Sequence, residues 1–252
     1  FGSLAGAEIN HAGQMASNRY SRDVPLSPSH IPVTTHDPLQ ARAMDKTDIR
    51  DLRRWHRDAA LRAKKAGFDL VYVYAGHQLS TISHFLSPYR NRRTDEYGGS
   101  LENRARLLRE VLEETKDAVG DVCAVALRFA VDELIGDKGF TSSGEGRDLI
   151  EMLSEVPDLW DVNVSAWEND SATSRFKPQG FQDDYVAFVK EVTTKPVVGV
   201  GRYTSPDAMV SLIKNGRLDM IGAARPSIAD PFLPTKIEEG RLEDIRECIG
   251  CN

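Results

Sequence analysis

The sequence has 252 residues, of which 40% are hydrophobic and 28% are charged, a composition that suits one large domain with a continuous core. The 32 lysines and arginines face 38 aspartates and glutamates, so the net charge of −6 leaves no excess of positive charge for general nucleic-acid binding. No apolar stretch is long enough to span a bilayer and three cysteines are too few for a disulfide scaffold, so we expect a cytoplasmic protein without a membrane partner.

Short apolar runs bounded by turn residues recur along the chain and predict six strands. The runs are apolar almost throughout, which is typical of parallel strands covered on both faces. The predicted strands are Ala5–Ile9, Leu70–Tyr74, Val122–Arg128, Leu159–Val164, Pro196–Val200 and Met220–Gly222.

Helical patterns fill most of the intervals between these strands. Ser100 is a suitable N-cap, Pro206 suits a first helical position, and Gly67 and Gly216 are suitable helix ends. The segment 13–43 contains four prolines and is expected to be a long irregular loop. The predicted helices are Thr47–Ala66, Leu101–Ala118, Glu145–Glu155, Tyr185–Thr193 and Pro206–Asn215.

This alternation of strands and helices predicts a parallel α/β fold. A doubly wound dinucleotide fold would carry a Gly-x-Gly-x-x-Gly turn after its first strand, whereas Gly199-Val-Gly201 lacks the third glycine and comes near the end. The sequence therefore favours a TIM (β/α)₈ barrel, in which the active site is built at the carboxyl ends of the strands.

Polar residues stand at these predicted strand ends. Arg128 interrupts an apolar strand, so it either pairs with a carboxylate on a neighbouring strand or contacts an anion or electron-rich ring. Gly201 and Arg225 follow the last two strands, where barrels commonly bind phosphate. Arg225 has the alternative of pairing with Asp230.

Several motifs resemble the old yellow enzyme family of FMN barrels. They are Asn91-Arg-Arg-Thr-Asp-Glu-Tyr-Gly-Gly-Ser-Leu-Glu-Asn-Arg104, Val198-Gly-Val-Gly-Arg202 and Ala224-Arg-Pro-Ser-Ile-Ala-Asp-Pro231. Other segments resemble the narrower branch of trimethylamine, dimethylamine and histamine dehydrogenases: Val71–His77, Trp167–Asp170, Ser174–Phe176 and Arg246–Cys251.

The resemblance implies how the chain maps onto the family's fold. Its first predicted strand would be the third strand of the barrel, so the chain would be a fragment covering strands three to eight. Residues 1–245 would then form an FMN-binding barrel domain without its first two βα units, and residues 246–252 would begin an iron–sulfur cluster loop.

The resemblance also implies roles for individual residues. Glu8 and Arg128 would contact the flavin ring, where a fixed cation favours the reduced anion. Tyr74, His77 and Asp170 would form the catalytic triad of the amine dehydrogenases. The FMN phosphate would be held by Gly201, Arg202, Ala224 and Arg225. Trp167 would belong to an aromatic bowl that holds alkylammonium substrates by cation–π contact, although a lone tryptophan more often serves packing.

The cysteines divide into a lone residue and a pair. Cys123 lies in a predicted strand and is expected to be a small core residue. The Cys248-x-x-Cys251 spacing is by itself compatible with zinc, an iron–sulfur cluster or redox chemistry. The resemblance implies a 4Fe–4S cluster in the full-length protein, of which only two ligands are present here.

The resemblance implies an FMN amine dehydrogenase that oxidises a secondary, tertiary or related amine to an iminium. The electrons would pass through the iron–sulfur cluster to an electron-transfer flavoprotein. The resemblance also implies a homo-oligomer. An NAD(P)H-dependent ene-reductase is the enzymatic alternative, and a non-catalytic flavin-binding scaffold is a third hypothesis. Ene-reductases place His or Asn where Tyr74 stands, and most have a tyrosine at the position of Leu79. Both departures weaken the ene-reductase hypothesis, and Leu79 also leaves the exact amine open.

Overall fold

The computed structural model describes residues 2–16, 21–33, 39–166 and 177–251. The strands are β1 (Gly6–Ile9), β2 (Leu26–Ser27), β3 (Ile31–Pro32), β4 (Gln40–Ala43), β5 (Leu70–Ala75), β6 (Ala124–Ala130), β7 (Leu159–Asn163), β8 (Val197–Val200) and β9 (Met220–Gly222). The helices are α1 (Lys46–Lys65), α2 (Thr81–Leu86), α3 (Leu101–Val119), α4 (Glu145–Leu153), α5 (Asp183–Val186), α6 (Val189–Val192), α7 (Pro206–Lys214), α8 (Ala224–Ala229) and α9 (Leu233–Glu238).

The main sheet consists of six parallel strands in the order β1-β5-β6-β7-β8-β9. The order follows the chain, with helices between successive strands, as consecutive units of a (β/α)₈ barrel require. Tyr74 lies opposite Arg128, and Arg128 lies opposite Asp161. Because register partners on neighbouring strands share a face of the sheet, these three side chains point the same way.

Long amphipathic helices cover the other face of the sheet and bury the core. Asp45 begins α1 with a capping box, and the Ser100 side chain caps α3 by accepting a hydrogen bond from the Asn103 N–H. Apolar residues from both helices pack on the sheet strands in one continuous cluster that includes Leu52, Leu108 and Trp160. The sheet is therefore fixed from its outer side, while its inner face remains available for polar groups.

The six predicted strands of the main sheet are confirmed, with shifted ends. Gly120–Val122 form a 3₁₀ turn in which Val122 is 64% exposed, so β6 begins only at Ala124. The strand continues to Ala130, so the prediction that it ends at Arg128 was wrong.

Other differences concern short elements. The loop predicted over 13–43 holds the small sheet β2-β4-β3, and the helix predicted over 185–193 is divided into α5 and α6. The six-residue helices α2, α8 and α9 were not predicted because six residues give too little periodicity to read. Within the described ranges, we find no helix with both the length and the apolar character needed to cross a bilayer.

Candidate active site

A charged cluster lies near the carboxyl ends of β1, β6 and β7, at the end of the main sheet that we call the mouth. The Arg128 guanidinium is 3.3 Å from the Glu8 carboxylate and 3.6 Å from that of Asp161, and it lies 5.9 Å from the centre of the Tyr74 ring. The ion pair with a neighbouring strand, one of the two interpretations of Arg128, is therefore confirmed. The Arg128 side chain still keeps 29% of its surface exposed, so a ligand at this mouth can also reach it.

The charge of Arg128 is stable in this environment. Burial alone would lower its pKa, but the charges of Asp161 and Glu8 outweigh burial and raise the pKa above its usual value. The same mouth therefore presents a permanent cation that is flanked by two carboxylates. Asp161 was not predicted as a site residue, although a lone carboxylate inside an apolar strand indicates a partner of opposite charge.

Tyr74 and His77 form a buried pair at the end of β5. A hydrogen bond of 2.6 Å joins the Tyr74 hydroxyl to His77 Nδ1, and the two residues are 5% and 2% exposed. His77 adopts a left-handed backbone conformation with φ of 55°, which turns the chain directly after the strand. The predicted pair is thus brought together, close to the Arg128 cluster.

A recess of about 70 Å³ opens beyond β8 and β9, and its lining includes Gly201, Gly222, Ala224 and Arg225. A Cβ atom on Gly201 would lie 2.7 Å from the Tyr203 ring and 3.0 Å from Gly180 Cα, so only glycine fits there. All four residues expected to hold a phosphate, Gly201, Arg202, Ala224 and Arg225, thus line one recess.

The Arg202 side chain has other partners. Its guanidinium donates hydrogen bonds to the backbone carbonyls of Cys248, at 3.3 Å, and Lys177, at 3.0 Å. Arg202 therefore links the recess to the segment that carries the cysteine pair. Asp230, the alternative partner considered for Arg225, forms an ion pair of 2.7 Å with Lys236.

Two expected site residues, Trp167 and Asp170, lie outside the described residues. Cys248 is half-buried and Cys251 is exposed, and neither is in a disulfide. In the parts of the chain that the structure describes, no three His, Cys, Asp or Glu side chains are grouped as a metal site. Cys123 is buried in the core cluster, where its thiol donates to the Phe68 carbonyl, so its core role is confirmed.

Sequence reasoning also missed three buried polar residues at the mouth. Gln182 lines the phosphate-sized recess and accepts a hydrogen bond from the Val164 N–H. Glu133 and Gln78 are hydrogen-bonded to each other beside His77. None of the three lies at the end of a predicted strand, so no pattern in the sequence distinguishes them from loop residues.

Comparison with known proteins identifies the family. Residues 1–244 match the NADH:flavin oxidoreductase / NADH oxidase family. The chain belongs to this family. Its proteins bind FMN, and its solved members of the old yellow enzyme type are TIM barrels, which confirms the predicted fold and flavin cofactor.

The more similar relatives are amine-oxidising enzymes. The chain is 46% identical to dimethylamine dehydrogenase of Hyphomicrobium sp. (strain x), covering 100% of this chain and 35% of that protein. The structure of 6-hydroxypseudooxynicotine amine oxidase from Pseudomonas geniculata N1 superposes with a TM-score of 0.96 at 59% identity, covering 99% of this chain and 38% of that one. For histamine dehydrogenase from Rhizobium sp. 4-9 the TM-score is 0.95 at 55% identity, covering 99% and 36%. The chain thus spans little more than a third of the length of these relatives.

Proposed function

We propose that this protein is an FMN-dependent amine dehydrogenase that oxidises a secondary or tertiary alkylamine, or a related amine, to an iminium that water hydrolyses to an amine and an aldehyde. The observation that carries the proposal is the buried hydrogen bond between Tyr74 and His77 at the same mouth as the Arg128 cation. The similarity to dimethylamine dehydrogenase and histamine dehydrogenase supports it.

The described residues fit FMN. The recess beyond β8 and β9 offers the Arg225 guanidinium and close-packed glycine backbone, which suit a phosphate group. The Arg128 cation suits a ring that gains negative charge on reduction. FMN, when bound, supplies the two-electron acceptor. Glu8 and Asp161 hold the Arg128 guanidinium in place. Arg202 lines the recess, and its side chain donates a hydrogen bond to the Cys248 carbonyl.

We assign proton removal from the amine to Tyr74 and His77. An ammonium ion has no free electron pair, so the substrate must be deprotonated before it can be oxidised. Histidine is the side chain whose ordinary pKa lies nearest neutrality, and the tyrosine hydroxyl can pass a proton along the 2.6 Å hydrogen bond. We assign Asp170 to orienting the imidazole and Trp167 to holding the alkylammonium group by cation–π contact.

We also propose a 4Fe–4S cluster that takes Cys248 and Cys251 as two of its four ligands, in a loop that starts near residue 246. The family match ends at residue 244, which supports a domain boundary at about this position. An electron-transfer flavoprotein as the acceptor and a homo-oligomeric assembly complete the proposal. The free thiols of the described cysteines are compatible with the cytoplasm.

Anaerobic bleaching of the bound flavin tests the proposal. The flavin-loaded enzyme is mixed with dimethylamine, trimethylamine and histamine, and separately with NADH and NADPH. We expect at least one amine to reduce the flavin at a rate well above that with either nicotinamide. Reduction by NADH or NADPH alone would support the ene-reductase hypothesis, and no bleaching by any reductant would support a non-catalytic scaffold.

A further inference from the structure

The turn that carries His77 is strained and needs support. His77 and Gln78 are consecutive residues in the left-handed region, each with φ of 55°. Residues other than glycine rarely adopt this conformation, and two in succession persist only where surrounding contacts hold them. The Gln78 carbonyl accepts a hydrogen bond of 2.8 Å from His84 Nε2, and the Leu79 N–H donates to the Gly76 carbonyl at 3.2 Å.

The Gln78 side chain is held from the neighbouring loop. Its amide donates a hydrogen bond of 2.5 Å to Glu133, which follows β6 and is only 1% exposed. The second Glu133 oxygen accepts from the Phe140 N–H at 3.0 Å, and the Glu133 N–H donates to the Phe140 carbonyl at 3.1 Å. Both carboxylate oxygens therefore accept an N–H group, and the loop itself is closed at Phe140.

The charges around Glu133 act in both directions. Burial raises the pKa of its carboxyl group, whereas hydrogen bonds from Ser87 and the Phe140 N–H, with the charges of Arg90 and Arg104, oppose this shift. Burial is the larger influence, so the pKa is raised overall, and both Glu133 oxygens act as hydrogen-bond acceptors in the observed geometry. Among the described residues, the side-chain amide that bonds Glu133 is that of Gln78, the neighbour of His77, so this bond supports the turn that carries the imidazole.

The same loop also forms hydrogen bonds to the chain that follows β7. The Asp132 carbonyl accepts a hydrogen bond of 2.8 Å from the Ser165 N–H, and the Asp132 carboxylate accepts from the N–H groups of Leu134 and Ser142, each at 2.8 Å. Ser165 precedes Trp167 by two positions and Asp170 by five in the sequence. One loop, residues 131–142, therefore bonds both Gln78, the neighbour of His77, and Ser165, which follows β7.

We infer that Glu133 is a positioning residue for His77, acting through Gln78 to hold the left-handed turn and with it the hydrogen bond between His77 and Tyr74. The inference rests on the proposed function and adds to it a residue that touches neither substrate nor flavin in the proposal. The observed hydrogen bond has its acceptor at position 133 and its donor at position 78. Substitution of both residues can therefore exchange the donor and the acceptor.

The test is a pair of reciprocal substitutions in the flavin-loaded enzyme. Gln78→Glu places a second carboxyl group against Glu133 with no N–H group between them, and we expect the rate of flavin reduction by dimethylamine to fall about ten- to a hundredfold, with a displaced pH profile. Combining Glu133→Gln with Gln78→Glu restores one donor and one acceptor, and we expect most of the rate and the original profile to return. Asp158→Asn is the matched control because Asp158 pairs with Lys116 at the opposite end of the sheet strands.

An amine-free measurement separates this inference from the proposed function. The flavin absorbance is recorded against pH, and a transition that disappears in His77→Gln is assigned to that side chain. We expect Gln78→Glu to displace that transition and the double variant to restore it, whether or not any amine reduces the flavin. An unmoved transition, the lack of any transition that depends on His77, or misfolding of both the single and the double variant would overturn the inference in favour of a purely structural Glu133.

Discussion

At the scale of single residues, Arg225 gives the sharpest test of the phosphate recess. A charge-assisted hydrogen bond contributes about 1.5–3 kcal/mol, which corresponds to about ten- to a hundredfold in affinity. Arg225→Ala should therefore lose FMN during extensive dialysis while the turnover of each remaining flavin changes little. Arg241→Ala is the control, because Arg241 is exposed and pairs with Glu239 and Asp244. Unchanged flavin content in Arg225→Ala would contradict the phosphate role.

Arg128 should set the reduction potential of the flavin. Replacing it with leucine removes the cation and leaves the carboxylates of Glu8 and Asp161 uncompensated at the mouth. Both effects disfavour the reduced anion, so we expect the midpoint potential of Arg128→Leu to fall by about 30 mV or more, since about 30 mV corresponds to 1.4 kcal/mol for two electrons. Arg128→Lys keeps the charge and should retain most of the potential. Equal midpoint potentials in Arg128→Leu and the parent would contradict a contact between the Arg128 cation and the flavin ring.

The sequence predicted those site residues whose position follows from a strand end. Tyr74, His77 and Glu8 come at or just after apolar runs, so the carboxyl ends of parallel strands bring them together. Asp161 and Glu133 were not predicted, because their roles depend on which strand lies beside which and on how a loop returns. The partners of Arg202 were likewise not predicted, since a bond to the Cys248 carbonyl joins residues 46 positions apart.

At the scale of elements, the long motif Asn91–Arg104 acts as a structural clasp. The Arg93 side chain, only 10% exposed, bonds the Asp95 carboxylate and the carbonyls of Pro28 and Met44. Arg93→Met would leave these acceptors unsatisfied, so we expect the free energy of unfolding to fall by about 2–3 kcal/mol. Urea denaturation measures it. Arg92→Met is the matched control because Arg92 is exposed, and an equal loss in both variants would contradict the clasp.

The clasp should also depend on pH through Asp95. The hydrogen bond from Arg93 holds the pKa of this carboxyl well below its usual range. A depressed pKa in the folded state stabilises the protein above the unfolded value of about 3.9 and loses that contribution as the pH falls further. The stability difference between the parent and Asp95→Asn should therefore be complete at neutral pH and shrink below about pH 4. Asp137→Asn, at an exposed turn, should show no such trend, and a difference independent of pH would contradict this account.

The sequence predicted the elements that are long or strongly apolar. The ends of the main-sheet strands and of α1, α3, α4 and α7 were predicted to within two residues, because hydrophobic periodicity and capping residues agree there. The small sheet β2-β4-β3 was not predicted, because β2 and β3 have two residues each and are too short to show alternation. Contacts with the clasp also hold this sheet, such as the bond from the Arg92 N–H to the Ser29 hydroxyl.

At the scale of the whole molecule, the sheet described here has two edges. β1 and β9 end the strand order, and their residues are more exposed than those of β5, β6 and β7. Ile228 and Phe232, just beyond β9, are 80% and 63% exposed. Open parallel edges beside apolar surface promote association. Residues 1–252 produced alone should therefore form oligomers or aggregates in size-exclusion chromatography with light scattering, and a monomer that melts cooperatively would contradict this expectation.

The most direct test of the proposed chemistry is the anaerobic stopped-flow reduction of the flavin by dimethylamine across pH, in the parent enzyme, Tyr74→Phe, His77→Gln and the double variant. Residues that act as one unit are not additive. The 2.6 Å bond between the two side chains therefore predicts that the double variant is hardly slower than the slower single variant, and that both single variants move the pH profile. Fully additive losses with an unmoved profile would contradict amine oxidation through Tyr74 and His77.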